Sequence, residues 1–318
     1  MSTQADVDVL VVGAGPAGLN GALVLARSRR TVLVVDAGAP RNAPAPHMHG
    51  YLGLEGASPA DLIERGRAEV TGYGAEVRSG TVCTLTLDDG GGHVRATLAD
   101  GDVLTARRAL VTTGLTDVLP TVPGLTDRWG LDVLHCPYCH GWEARDQAVA
   151  VLATTAAEAD KALVMHQWSD DVVLVLHGPG PSDLTERTRA ALEALGVRLD
   201  TGPVERLQVE GGRLTGVRMR DGRSLPCDIL VVQPTVRARD DLLTALGAQV
   251  RSGPYGELVV TETDGFTGLP GVWAAGNVTD PAAQVVTSAA DGYRAALSID
   301  ASLMTEDVDA AIAASSRT

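Results

Sequence analysis

Two cysteines separated by two residues, in the segment His135-Cys136-Pro137-Tyr138-Cys139-His140-Gly141-Trp142-Glu143, are the strongest candidates for chemistry in this sequence. At that spacing two thiols can close a small disulfide ring, and a nearby imidazole or helix N-terminus lowers a thiol pKa so that a thiolate attacks at neutral pH. Three other readings compete with a redox pair. Zinc would need a second ligand pair at matching spacing, which the sequence lacks although His135 and His140 flank the cysteines. A glutaredoxin-like Cys-Pro-Tyr-Cys would need a small domain beginning just before it, whereas a long strand-and-helix pattern precedes this one. The pair could also be merely structural. Cys83 and Cys227 stand alone in apolar, strand-like contexts where a buried, inert thiol is expected. Four cysteines in 318 residues are too few for a disulfide scaffold.

The second constellation is a glycine turn. Val7 to Val12 is short, β-branched and almost wholly apolar, as in a parallel strand buried on both faces, and it stops at Gly13-Ala14-Gly15-Pro16-Ala17-Gly18. Ala17 to Arg30 carries apolar residues at helical spacing and ends in Arg27, Arg29 and Arg30, cations suited to the negative end of a helix dipole. A strand from Thr31 to Val35 then delivers Asp36. This order is the βαβ fingerprint of a dinucleotide site: the glycines allow a tight turn and close approach of pyrophosphate to the helix N-terminus, and the acid takes ribose hydroxyls. Gly-x-Gly-x-x-Gly alone is a weak signal. Here the strand before it, the helix after it and an acid 23 residues beyond Gly13 all agree.

The elements that must position these residues follow in order. Pro59 to Tyr73 reads as a helix, Val82 to Leu87 and His93 to Leu98 as a hairpin around Asp88-Asp89-Gly90-Gly91-Gly92, and Ala109 to Thr113 as a strand ending at Gly114. A Pro/Gly-rich joint, Leu119 to Gly124, marks a domain cut. A second βαβ-like series begins at Gln147: strand Ala148 to Leu152, helix Ala156 to Trp168, strand Val172 to Leu176, helix Ser182 to Leu195, strand Val197 to Leu199. A hairpin at Val209 to Val217 and a strand at Ile229 to Val232 close it, and a helix follows Gln233-Pro234. Gly271-Val-Trp-Ala-Ala-Gly276-Asn277 then leads into a helix from Gln284 to Leu303, and the last fifteen residues read as frayed. The expected domains are 1–118 with 236–318, and 119–235.

Composition sets the bounds. A chain of 318 residues, 45% hydrophobic with mean hydropathy +0.08, is long enough for two domains or one large α/β unit. Forty acidic against 26 basic side chains give a net charge of −14 and a pI near 4.8, a field that repels phosphate backbones and anionic lipid. Nucleic acid and membrane are therefore excluded as expected partners. No apolar stretch approaches the roughly 18 to 20 residues that span a bilayer. The polar start, Met1-Ser2-Thr3-Gln4, lacks a basic-then-apolar signal, so a cytoplasmic location is expected.

Gly271-Val-Trp-Ala-Ala-Gly276-Asn277-Val-Thr-Asp280 with Gln284-Val-Val-Thr-Ser-Ala-Ala-Asp-Gly292 resembles the second flavin motif of low-molecular-weight thioredoxin reductases, and the first glycine turn resembles their first. With Cys-x-x-Cys between them, the resemblance covers residues 6 to 303. It implies an α/β, two-domain flavoprotein: a Rossmann-like FAD domain with an inserted, degenerate NAD(P)-type domain carrying the cysteines. It implies FAD contacts from Gly13, Gly15, Pro16, Ala17, Gly18, Asp36, Ala37, Gly114, Gly276, Gln284 and Val285. Asn277 stands where the family has an acid on the ribityl chain, and its amide can still bond a hydroxyl. Arg41 and Asn42 either hold a loop or stand near FAD phosphates.

In the reductases the segment after the cysteines is a strand, a Gly-Gly-Gly-x-x-Ala turn, a helix, a strand and two arginines that grip the NADPH 2′-phosphate. Here Ala153, Thr154 and Thr155 replace the glycines and His177-Gly178 the arginines, so the nicotinamide site reads as vestigial. A reductase frame with Cys-Pro-Tyr-Cys-His-Gly-Trp-Glu, that degenerate site, and Asp36-Ala37-Gly-Ala-Pro40-Arg41-Asn42 followed by His47 and His49 resembles the dithiol oxidases of natural-product clusters, such as the holomycin and gliotoxin disulfide-forming oxidases. That resemblance implies a homodimer in which Cys136 exchanges with a small dithiol, Cys139 sits against the flavin, and O2 leaves as hydrogen peroxide. His140 takes the place of an aspartate and is the implied proton carrier; an unperturbed imidazole titrates near neutrality. His47 and His49 read equally as solvent-exposed or structural and as substrate-lining, and the bland reading of Trp142 and Glu143 is that they only pack the helix that presents the cysteines. No metal is expected. A thioredoxin reductase fed by another donor such as ferredoxin, and a non-catalytic flavin sensor, are the alternatives.

Overall fold

The computed structural model describes residues 5–88, 93–253 and 256–316. The chain divides into two compact units, residues 1–43, 57–116 and 236–318 forming the first and 44–56 with 117–235 the second. Residues 44–56 group with the cysteines in the second unit, apart from the rest of 1–118.

The first unit opens with β1 (Val7–Val12), α1 (Pro16–Arg27), β2 (Val32–Asp36) and α2 (Pro59–Gly72), followed by β3 (Glu76–Ser79), β4 (Val82–Leu87), β5 (Val94–Leu98) and β6 (Val103–Val111). Its sheet runs β3-β2-β1-β6-β5-β4, parallel from β3 to β6 and antiparallel beyond. The apolar run of β1 is explained by burial on both faces. Val9 and Val11 enter the core shared with α1, while Leu10 and Val12 enter the core on the opposite face with Val82, Leu85 and Val94. The Gly90-Gly91-Gly92 hairpin turn lies outside the described residues, but the strands it joins pair as expected. The β4–β5 register shifts between Val82 and Thr84, and Cys83 at that irregularity is exposed, contrary to the buried thiol expected.

The chain leaves through β7 (Leu115–Val118) and builds α3 (Leu125–Arg128), β8 (Val133–Leu134), α4 (Pro137–His140), β9 (Val149–Ala153), α5 (Asp160–Met165), β10 (Val172–Leu176), α6 (Glu186–Ala194), β11 (Arg198–Thr201), β12 (Val204–Glu210), β13 (Arg213–Met219), β14 (Ser224–Pro226) and β15 (Ile229–Val232). The sheet order β11-β10-β9-β15-β8 is parallel throughout, and β12-β13-β14 form a separate antiparallel sheet. Again alternate residues of one strand serve two cores: Val149, Val151 and Ala153 pack on one face, Ala150 and Leu152 on the other. The helix expected from Ala156 to Trp168 is shorter, a 3₁₀ turn over Ala156–Ala159 leading into α5.

The return to the first unit runs through β16 (Thr235–Ala238), α7 (Asp241–Ala245), β17 (Val250–Gly253), β18 (Gly256–Val259), β19 (Val272–Ala274) and α8 (Val285–Ser315). β19 extends the first sheet by pairing in parallel with β6. This last helix continues to Ser315, beyond the end near Leu303 that the sequence pattern suggests. Buried Leu303 and ion pairs explain the extension: Asp300 and Asp307 each pair with Arg30 at 2.6 Å, and Glu306 pairs with Arg108 at 2.7 Å. Among the described residues no helix is long and apolar enough to cross a membrane.

Candidate active site

In the second unit Cys136 caps α4, and its sulfur is joined to that of Cys139 across a Cα–Cα distance of 5.3 Å. Pro137 occupies the first helical turn, where its missing N–H costs nothing. Gly141 follows because the Trp168 ring lies against it: a Cβ there would stand 2.5 Å from Trp168 Cδ2 and 2.6 Å from the Pro137 carbonyl oxygen. Tyr138 stacks edge-on against the same indole at 6.0 Å and remains exposed. Trp142 does not pack its helix. It is 65% exposed, with the Arg145 guanidinium 4.3 Å above its ring.

His140 is half-buried, and that burial holds its pKa below the usual imidazole value, with Glu143 pulling it up and His49 pushing it down. It is thus a neutral base at pH 7. His49 Nδ1 donates to Glu55 Oε1 at 2.7 Å, and its Nε2 faces Glu143 Oε1 at 3.6 Å. His47 is turned to the backbone, its Nδ1 3.0 Å from the Gly56 carbonyl oxygen. Sequence reasoning missed Glu55, and it missed Lys161, whose Nζ donates to the His135 carbonyl at 2.8 Å, immediately before Cys136. A signal for Lys161 was present: it is the only lysine among 26 Lys and Arg residues. Burial lowers its pKa to about 8.

The turn after β9 holds an anion of its own. Glu158 accepts from the Thr154 amide at 2.8 Å and from the hydroxyls of Thr154 and Thr155 at 3.0 Å. His177 is also committed, its Nδ1 accepting from the Val204 amide at 2.8 Å, consistent with a pKa lowered by burial. The donors that a pyrophosphate would take at such a turn are occupied by the protein's own carboxylate.

The glycine turn of the first unit is different. Gly13 adopts φ +101° and Gly18 admits no Cβ, which would lie 1.9 Å from the Gly13 carbonyl oxygen, but nothing stands within 4 Å of a Cβ at Gly15. Open space therefore lies over the N-terminus of α1, beside Pro16 and Ala17. Asp36 accepts from the Ala14 amide at 3.0 Å and pairs with Arg67, whose Nε is buried without a partner. Ala37 is exposed just beyond. Arg67 was not anticipated, having no marker in sequence beyond its place on α2. Gly114, at φ +72°, follows the end of β6. Gly276, at φ +78°, brings the turn after β19 within van der Waals range of Ala17, and Gln284 and Val285 begin α8. The Asn277 amide is used locally, donating to the Asp280 and Ala283 carbonyls at 2.9 Å each, while Arg41 donates to its Oδ1 at 3.4 Å. Asn42 is half-buried beside Arg41. An open glycine cradle, a helix N-terminus and an orphaned guanidinium nitrogen suit a dinucleotide.

A family model of pyridine nucleotide-disulphide oxidoreductases matches residues 7–292. The chain belongs to that family. Within the pyridine nucleotide-disulphide oxidoreductases it is 30% identical over 285 residues to thioredoxin reductase tcpT of Claviceps purpurea, covering 87% of this chain and 88% of the relative. It is 29% identical to thioredoxin reductase sirT of Leptosphaeria maculans, over 95% and 96% of the two chains. The crystal structure of HlmI superposes with a TM-score of 0.92 at 47% identity, covering 98% of this chain and 96% of that one. The chain is therefore a thioredoxin-reductase-like oxidoreductase and a flavoprotein whose cofactor is FAD. The fold and cofactor expected from the flavin motifs hold.

Proposed function

We propose that this protein is a cytoplasmic, homodimeric dithiol oxidase: it closes the intramolecular disulfide of a small molecule and reduces dioxygen, R(SH)2 + O2 → RS2 + H2O2. Its place is the biosynthesis of, or protection against, a holomycin-like dithiol product. The observation that carries this reading is Glu158 lodged in the turn after β9, bound to the Thr154 amide and both threonine hydroxyls. A nicotinamide donor finds neither glycines nor arginines there, so the electrons come from the dithiol. The similarity to HlmI over nearly the whole chain supports the same reading.

In this reading Gly13, Gly15, Pro16, Ala17, Gly18, Asp36, Ala37, Arg41, Asn42, Gly114, Gly276, Asn277, Gln284 and Val285 hold FAD, with Arg67 added. Bound FAD supplies the two-electron acceptor between dithiol and dioxygen. His140, neutral at pH 7, takes the proton of a substrate thiol. The resulting thiolate attacks Cys136, forming a mixed disulfide and releasing Cys139 as thiolate. The second substrate thiol gives its proton to water and its sulfur attacks the first, closing the product disulfide and freeing Cys136 as a thiolate. Exposed Tyr138 and Trp142 offer an apolar, aromatic approach to the sulfurs.

The test is anaerobic reduction of the flavin band. A small dithiol should bleach it and NADPH should not, and in air one hydrogen peroxide should form per disulfide. Rapid, saturable bleaching by micromolar NADPH would replace the oxidase with a reductase.

A further inference from the structure

The proposed dithiol chemistry, on which this inference rests, removes two protons from sulfur and needs them again for peroxide only after the electrons have moved. One imidazole can hold one of them. Beside His140, on the segment 44–56 that belongs to the same unit, the His49 ring stands edge-on with its centroid 6.4 Å away. Carboxylates face both of its nitrogens, Glu55 at 2.7 Å from Nδ1 and Glu143 at 3.6 Å from Nε2. That arrangement accommodates an imidazolium, whose two N–H groups both donate. Glu55 is pinned by the Gly50 amide at 2.8 Å, which fixes the ring as well. The side chain of His49 is 18% exposed, against 63% for Glu55 and 44% for Glu143. The groups thus lead from a half-buried imidazole, through a covered one, to carboxylates in water. His47 lies 6.5 Å from His49 and is held by the Gly56 carbonyl instead.

We propose that His49 is a second acid–base group of this site, a proton-relay and positioning residue that exchanges the proton of His140 with water through Glu143 and Glu55. The two rings are coupled: charge on His49 disfavours charge on His140, and Glu143 favours it. A proton gained by His140 therefore promotes release of one from His49, and the bond balance is kept, N–H formed on one ring and broken on the other.

The experiment uses the FAD-loaded full chain and dithiothreitol as probe, following peroxide from pH 5.5 to 9, with His49→Gln and Glu55→Gln. His49→Gln should lower kcat about tenfold or more with little change in KM, shift the acidic limb of the pH profile, and recover with added imidazole. Glu55→Gln, a change at an exposed position that should fold normally, should show a smaller loss of the same kind. In parallel, NMR titration should find His140 in His49→Gln protonated at higher pH than in the wild type. Wild-type turnover and pH profile in His49→Gln, in a protein that does make peroxide, would overturn the relay and leave the oxidase standing. If the wild type makes no peroxide from dithiols, the oxidase reading fails by itself, and the titration decides: an unchanged His140 in His49→Gln overturns the coupling, a raised one supports it.

Discussion

Cys136 and Cys139 differ in what each can do after the ring opens, so their variants should fail differently. Cys139→Ser should leave Cys136 in a mixed disulfide, and mass spectrometry should find substrate trapped on the enzyme. Cys136→Ser should trap none; substrate on Cys139 in that variant would reverse the roles. His140→Ala keeps both sulfurs and should slow turnover by roughly 10²- to 10⁴-fold. The loss should shrink as pH rises and substrate thiolate forms unaided, and an unchanged rate would remove His140 from the mechanism. Lys161 makes a separate prediction. Its pKa of about 8 in the folded chain lies below the ordinary 10.5. Between those values the unfolded chain holds a proton the native chain has lost, so this group makes stability rise with pH across that window, and below it the fold bears the cost of a covered ammonium. Lys161→Met should flatten the stability slope between about pH 8 and 10. A slope equal to that of the wild type would show the ammonium to be well solvated.

At the scale of elements, the glycine turn between β1 and α1 separates two requirements that the motif runs together. Gly18 is a packing glycine: a methyl there meets the Gly13 carbonyl and the Thr112 hydroxyl at 1.9 and 2.6 Å. Gly18→Ala should therefore destabilise the protein by about 1–3 kcal/mol or more, read by denaturant unfolding. Gly15 has extended backbone, φ −74° and ψ −178°, and open space at its Cβ. Gly15→Leu should leave the unfolding of FAD-stripped protein within about 0.5 kcal/mol of wild type yet yield a colourless preparation. A yellow Gly15→Leu protein with one FAD per chain would remove this turn from the cofactor site.

For the whole molecule, α8 carries the feature that the first unit leaves uncovered. Tyr293, Leu297, Met304, Val308 and Ile312 recur at helical spacing along it and are all about half exposed. Such an apolar stripe, continuous along one helix, is suited to burial against a second copy of the chain, whose own stripe would cover it. Sedimentation should find a dimer at micromolar concentration, and Leu297→Glu with Ile312→Glu should shift it towards monomer while the flavin spectrum is retained. A wild-type monomer at those concentrations would refute the dimer.

What the sequence determined by itself was the local grammar. Short, β-branched runs such as Val7–Val12 and Val172–Leu176 read as strands covered on both faces, and with them the spacing Gly13, Gly15, Gly18 and Asp36 reads as a βαβ unit. The reactive pair was legible for the same reason, since Cys136 and Cys139 are neighbours in the chain and close their ring within one turn. Contacts between residues distant in the chain were not legible. His49 meets Glu143 and His140 across some ninety residues, Arg67 reaches Asp36 from another element, and Asp300, Glu306 and Asp307 extend α8 by pairing with Arg30, Arg107 and Arg108. Absent glycines after β9 could be read from the sequence, but that Glu158 fills the turn depended on how the chain bends there. Spacing along a chain specifies local hydrogen bonding and periodic burial, whereas the partner of a charged side chain is chosen by tertiary packing, which alone brings remote carboxylates and imidazoles within reach.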